Sequence, residues 1–362
     1  MSGLSLLPEW AAQDAVMLTW PHPATDWVDF LAEVEATFYA IATQISRYAN
    51  LVVVCHDVQV KAKVSAQFSA LGIYNAHFAV IANNDSWARD HGPITVQNSE
   101  NQLFWLDFEF TGWGDKFEAA LDNAITAQLA KAEFIQINAC LPQPLILEGG
   151  AIETDGQGHL LVTRHCLLND NRNEALSQTA LEKTLGQLFG IRKFLWLDHG
   201  YLAGDDTDAH IDTLARFTPH QGIVYVSCDD PHDEHFQPLQ AMAAQLKDMV
   251  TLDHQPFQLF ALPWPQAKYA PNGERLPASY ANYLIINGAI LMPTYGDSQD
   301  EPALAVLAQA YPGYAIHGID CQALIRQYGS LHCVTMQLPK GCLRTPLPTA
   351  SNTQCPIESS SC

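Results

Sequence analysis

The sequence predicts an α/β fold assembled from repeated modules, and three observations carry that expectation. Short β-branched or aromatic runs recur along the chain, segments with helical apolar periodicity lie between many of them, and four dense polar clusters interrupt the pattern at even intervals. The 362 residues are 48% hydrophobic and 16% charged, which suffices for a large core in one big domain or two ordinary ones.

The candidate strands are Val16 to Trp20, Leu51 to Cys55, Phe104 to Phe108, Leu160 to Thr163, Phe194 to Leu197, Ile223 to Ser227, Tyr283 to Ile286 and His332 to Gln337. Their residues suit a pleated, buried surface. The candidate helices are Trp27 to Tyr48, Lys116 to Lys131, Leu176 to Phe189, Phe236 to Lys247 and Glu301 to Tyr311, where apolar positions return every third or fourth residue. The polar clusters centre on Asp90, Glu148, His210 and Cys333, at intervals of roughly 60, 60 and 120 residues. Such spacing suggests modules arranged around an axis, each lending one loop or strand end to a shared centre. The tail over 345–362, rich in Ser, Thr and Pro without periodic apolar positions, is expected to be disordered.

A net charge of −21, from 39 acidic and 18 basic residues, repels phosphate backbones and anionic membrane surfaces, so neither nucleic acid nor membrane is expected as a partner. The same field gathers small cationic substrates. The opening MSGLSLLPEW has no basic region ahead of its short apolar run and does not read as an export signal. The longest apolar stretch, Tyr283 to Pro293, is broken by Asn287 and Gly288 and falls short of the roughly 20 residues a membrane helix needs. Nine scattered cysteines without a C-x-x-C pair fit neither a disulfide framework nor a zinc ribbon, so they read as reduced thiols with room for one nucleophile. A cytoplasmic protein is expected, and a homo-oligomer is compatible with all of this.

Chemistry concentrates in the clusters. In Trp87-Ala88-Arg89-Asp90-His91-Gly92-Pro93, Asp90 could take two hydrogen bonds from a planar guanidinium while Trp87 offers its π-face, or it could simply pair with Arg89. Glu148 ends an apolar run before Gly149-Gly150, as an acid that orients a histidine or as a surface acid at a strand end. Asp205, Asp206, Asp208 and Asp212 crowd around His210, a costly arrangement unless a cation binds there. On an extended strand His210 and Asp212 would share one face, one serving as general acid and base while the other grips the substrate. Cys333 follows a small-residue turn at the start of an alternating run, a position that exposes a nucleophile, with His332 on the opposite face; a buried, inert thiol is the plain alternative.

Asp208-Ala209-His210-Ile211-Asp212 is also similar to one ligand stretch of the arginase and agmatinase family, whose two manganese ions activate hydroxide. The further ligand motifs of that family are missing: no G-G-D-H occurs, and Ser227 to His235 has the wrong spacing and reads as a solvated acidic loop. No metal or other cofactor is therefore expected.

Taken together, the stretch from Trp87 to Pro93, Glu148-Gly149-Gly150, Asp205 to Asp212 with Arg216-Phe217, and Gly329 to Gln337 resemble the agmatine deiminase family, which is related to the bacterial-type peptidylarginine deiminases. Phe110 to Lys116, Leu167 to Asn173 and Pro277 to Tyr283 extend the likeness over roughly residues 8 to 340. It implies a five-bladed α/β-propeller with pseudo-five-fold symmetry and a central active site, forming one catalytic domain over 1–344. It also implies Cys333 as nucleophile, His210 as general acid and base, Glu148 as its orienting partner, and Asp90 and Asp212 as guanidinium clamps. Trp87 would join the clamps in binding substrate, with Asp206 and Trp113 toward the substrate's far end. The implied reaction converts agmatine to N-carbamoylputrescine and ammonia through an amidino-cysteine, in putrescine and polyamine biosynthesis. Arginine, peptidyl arginine and a metal-dependent ureohydrolase are the alternatives. Two departures stand out: Ala209 where many members carry glycine, and a shorter Gly329-Ser330-Leu331 turn before the cysteine.

Overall fold

The order of the strands repeats one unit five times. In each unit two antiparallel strands are followed by a helical crossover and a third strand that joins in parallel. The first complete unit in chain order pairs Ile94–Gln97 with Leu103–Glu109 and then Ala139–Ile146. The second pairs Glu153–Thr154 with His159–Thr163 and, after the helix Gln178–Phe189, Lys193–Leu197. Ala215–Thr218, Gly222–Val226 and Gln258–Leu262 form the third across the helix Phe236–Asp248. Leu284–Ile286, Ala289–Thr294 and Ala315–Asp320 form the fourth across Asp300–Ala310. The fifth joins the two ends of the chain: Met336–Pro339 lies antiparallel to Gln13–Thr19, which is followed by the helix Leu31–Ile45 and the parallel strand Asn50–Cys55. This mixed α/β structure, a computed structural model, describes residues 3–349.

Burial explains why the strands form where they do. Gln13–Thr19 and Asn50–Cys55 are buried at every position, as expected of strands covered on both faces. The helix Gln178–Phe189 instead buries only Leu181, Leu185 and Phe189, one stripe at helical spacing, and stops at Gly190 in the left-handed region. A fourth strand, Ala76–Val80, follows the helix Val58–Ala70, which the apolar pattern did not signal because it buries only Val64 and Phe68. Its start is set instead by Asp57, whose carboxylate accepts the N–H groups of Gln59 and Val60.

Two expected elements differ. Lys116 to Lys131 is helical only at Asp122–Ala124 and Ile125–Leu129, because Gly112 to Asp115 run through positive φ and Lys116 is drawn to the Asp206 carbonyl and the Asp208 carboxylate. The strand expected at His332 begins only at Met336; Leu331 to Val334 form a turn held by the Asn282 side chain. Among the described residues, no helix is long and apolar enough to cross a membrane, and all seven cysteines are unpaired. Of the expected tail, Leu347 donates its N–H to Asn50, and residues 350–362 lie outside the described residues.

Candidate active site

Each repeat begins with a short irregular segment just before its first strand, and these five segments carry the converging polar groups. Asp90 precedes Ile94–Gln97, Glu148 precedes Glu153–Thr154, His210 precedes Ala215–Thr218, Asn282 precedes Leu284–Ile286 and Cys333 precedes Met336–Pro339. The double interval between His210 and Cys333 is thus filled by Asn282. Motif density missed it because the segment around it is uncharged, although the gap in the spacing pointed to the place.

Asn282 builds the turn that presents the thiol. Its Oδ1 accepts the backbone N–H groups of His332 and Cys333 at 2.9 and 3.3 Å, and its Nδ2 donates to Cys333 Sγ at 3.2 Å. Burial pushes the Cys333 thiol well above its ordinary range, and the carboxylates of Asp212 and Asp90 push it further.

Asp90 sits on the short helix Ala88–His91. Its two oxygens accept the Gly150 N–H and Trp113 Nε1–H, each at 3.0 Å. Burial and then the neighbouring charges of Asp212 and Glu148 hold its carboxyl well above the usual range. Asp212 behaves oppositely. Burial would raise it, but His332 Nδ1, 2.7 Å from its Oδ2, keeps it below the usual range. Its Oδ1 has no hydrogen-bond partner among the described residues.

His210 and Asp212 do not share an extended strand as expected: Ile211–Thr213 is a turn of 3-10 helix. Asp208 and Ala209 ahead of it both take φ of 65°, and this left-handed step brings the imidazole in beside Asp90, with Nδ1 3.6 Å from Asp90 Oδ1. Burial lowers His210 to about 3, so it is neutral in the free protein at neutral pH. Glu148 lies close by, with one of its oxygens, a ring nitrogen of His210 and the Cys166 sulfur all within 4.8 Å of one another. Arg172 Nε approaches Glu148 Oε1 to 2.6 Å, yet burial still holds the carboxyl above its usual range.

A cleft of about 430 Å³ opens onto Asp90 and Cys333. Trp87, Trp113, Phe117 and Tyr328 form aromatic walls, and Asp26, Asp85 and Asp206 add carboxylates, with no Lys or Arg in the lining. Gly329 is required under Trp87, since a Cβ there would lie 2.1 Å from the indole. All eight sequence-predicted site residues therefore gather at this centre, Glu148, His210 and Asp212 immediately behind the cleft and the other five on its lining. A second cavity of about 590 Å³, bordered by Glu9, Arg89 and Glu153, contains neither the thiol nor the imidazole.

His332 was expected to face away from the site, and its ring instead reaches Asp212 because the turn replaces the strand. Its Nε2 lies 2.8 Å from Glu9 Oε1, and Glu9 also pairs with Arg216 at 2.5 Å and Arg89 at 3.1 Å. A buried ionic network thus backs Asp212 through His332. The loop from Asp229 to His235 is solvated at its acidic start and at Glu234, but not throughout. Asp233 pairs with Arg275 at 2.6 Å and with His235, which is buried.

The sequence pattern of the Porphyromonas-type peptidyl-arginine deiminase family matches residues 5–339. A substrate-bound Cys-to-Ser variant of C. jejuni agmatine deiminase is 36% identical, with a TM-score of 0.86 over 93% of this chain and 97% of that one. Agmatine deiminase of Enterococcus faecalis is 26% identical, with a TM-score of 0.83 over 93% and 96%. A Yersinia pestis protein, named provisionally as an agmatine deiminase, is 32% identical over 93% of this chain and 96% of its own length.

Proposed function

The chain belongs to the Porphyromonas-type peptidyl-arginine deiminase family and is a hydrolase acting on amidine C–N bonds, and from that premise we propose that its substrate is agmatine. The observation that carries this reading is the cleft lining: a thiol and a clamp carboxylate at one end, further carboxylates along the wall, and no cationic group to receive the carboxylate of arginine. Agmatine, cationic at both ends, suits that distribution.

In this reading the guanidinium enters with its N–H groups on Asp90 and the free Oδ1 of Asp212, which holds the central carbon over Cys333. The cation neutralises the two carboxylates that kept the thiol protonated, so the thiol proton passes to His210 and sulfur attacks the carbon. The tetrahedral adduct collapses as His210 returns that proton to the departing nitrogen, leaving ammonia and a cationic amidino-cysteine. Water then attacks; His210 takes its proton, the carbon–sulfur bond breaks, and N-carbamoylputrescine leaves. The remaining proton of the guanidinium ends on ammonia. Glu148 orients His210, and no metal enters any step.

The five units, in this reading, are the blades of one α/β-propeller formed by residues 1–344. Support comes from the pairing of Met336–Pro339 with Gln13–Thr19, which joins the two ends of the series in one sheet. In this reading the product feeds the formation of putrescine, and the protein works in the cytoplasm. The test is a panel of agmatine, arginine, guanidinobutyrate and peptidyl arginine after exhaustive chelation, scored separately for ammonia and urea. Ammonia from agmatine alone, lost in Cys333→Ala, is the expected result; urea, or turnover that survives Cys333→Ala, overturns the reading.

A further inference from the structure

We propose that Glu148, Cys166 and His210 form an inhibitory site for a thiophilic divalent cation, best matched by zinc. This rests on the reading of His210 and Glu148 as parts of the reaction machinery, whereas Cys166 has no part in it. One donor atom from each residue lies within 4.8 Å of the other two. The three side chains are at most 1% exposed. Among the described residues, neither ring nitrogen of His210 has a hydrogen-bond partner, nor has Glu148 Oε2. Arg172 occupies only the Oε1 side of Glu148, at 2.6 Å, and leaves Oε2 available.

The scaffold fixes these donors from two sides. Cys166 lies on the short helix Arg164–Leu167, where its N–H is capped by Thr163 Oγ1, and the same hydroxyl donates to the Ala209 carbonyl at 2.7 Å. One threonine therefore ties the thiol's turn to the loop carrying the imidazole. A tetrahedral zinc with bonds of about 2.0–2.3 Å sets its ligands about 3.3–3.8 Å apart, so the donors need to draw in by only about an ångström. A mixed sulfur, nitrogen and oxygen set favours zinc over calcium, magnesium or manganese.

Charge supports the same occupant. Glu148, Asp205 and Asp208 bring three negative charges near Cys166, against Arg172 and Lys116, which leaves one net negative charge. Zinc entering with loss of the thiol proton brings the group to neutrality, with a water completing the shell. Bound in this way, the ion withdraws His210 from proton transfer.

The experiment uses the full chain, stripped of metal and titrated with zinc in a nitrilotriacetate buffer. Ammonia release from agmatine should fall with one zinc per chain and return on chelation. Cys166→Ala and Cys166→Ser should keep wild-type turnover without zinc and need about a hundredfold more zinc for the same inhibition. In parallel, competition with a chromophoric chelator reads binding without reference to activity: Cys333→Ala should still take one zinc, and the double variant with Cys166→Ala should not. Failure of agmatine turnover in the zinc-free wild type would count against the substrate reading and leave this binding arm intact. Unchanged inhibition in both Cys166 variants, or no zinc bound by Cys333→Ala, would overturn the proposal and place the ion on the nucleophile.

Discussion

At the scale of single residues the site is organised by opposed effects on two carboxyls. Asp90 is held above the usual range by burial and its acidic neighbours, whereas Asp212 is held below it by His332. Both charges bear on Cys333. Asp90→Asn removes one of them while keeping the side-chain volume, so the thiol should ionise at lower pH than in the wild type even as turnover drops about a hundredfold or more. Ultraviolet titration of the thiolate, with Cys333→Ala as blank, measures this; a thiol titrating at the same or higher pH would show that burial alone sets it. His332→Gln acts on Asp212, the other proposed clamp. Asp212 must be ionised to hold a cation, and its depressed carboxyl rises once the imidazole is gone. The acid limb of kcat/KM should therefore move to higher pH, with KM affected more than kcat. Glu9, Arg89 and Arg216 also face that imidazole and remain in place, so a profile that kept its acid limb would assign the shift to them. That Asp90, His210 and Asp212 meet at one centre was legible because charged residues are dense around them, and that Cys333 joins them was legible only through the spacing of the four clusters. Asn282 and His332 were not, because their roles depend on hydrogen bonds across 51 and 120 positions of chain.

At the scale of elements the decisive parts are the turns that precede the strands, and these are where pattern reading was weakest. Alternation and helical periodicity located strands such as Asn50–Cys55 and helices such as Gln178–Phe189, since burial on one or both faces leaves a periodic trace. A 3-10 turn at Ile211–Thr213 after two residues at positive φ leaves none. Ala209 shows the consequence. An L-residue in that region costs about 1–2 kcal/mol, and glycine gives back about 0.4–1 kcal/mol through the entropy of the unfolded chain. Ala209→Gly should therefore stabilise the protein by roughly half to one kcal/mol, raising the melting temperature by about 1–2 °C. A melting temperature that fell would mean that the bonds from the Ala209 N–H to the Asp205 carboxylate and from the Thr163 hydroxyl to the Ala209 carbonyl hold this conformation better with alanine than with glycine. Gly150 tests the same region through space, because an added Cβ would lie 2.5 Å from His210 Nδ1 and 2.8 Å from Asp90 Oδ1. Gly150→Ala should lower kcat about a hundredfold by moving the imidazole, a displacement of the order of an ångström being enough. Equal losses in Gly150→Ala and Gly186→Ala, the latter inside the helix Gln178–Phe189 without a positive φ and with no contact nearer than 3.3 Å, would argue against a geometric cause.

Across the whole molecule, the interval of roughly 60 residues was the feature that told most, because five like units each place one turn at the same centre. What the interval did not contain was the handling of charge. The chain carries a net −21, and three carboxylates besides Asp90 line the cleft. Of these, Asp26 and Asp206 meet solvent, where attraction to a cation is screened over about 30 Å at 0.01 M salt and about 3 Å at 1 M. Asp85 is instead held inside by hydrogen bonds from Trp27 and Trp87, and burial raises it to about 6. The buried carboxylates of Asp90 and Asp212 are screened far less. The two ends of a substrate should then respond differently. For agmatine, kcat/KM should fall steadily as salt rises between those limits, with most of the change in KM. Guanidinobutyrate presents the same guanidinium but a tail carboxylate, so its weaker turnover should rise or hold level as salt screens the repulsion. Asp206→Asn should flatten the agmatine curve without altering the ratio of ammonia to urea. Parallel curves for the two substrates would mean that the acidic lining does not select the tail, and discrimination would then have to come from the fit of the chain between Trp87, Trp113 and Phe117.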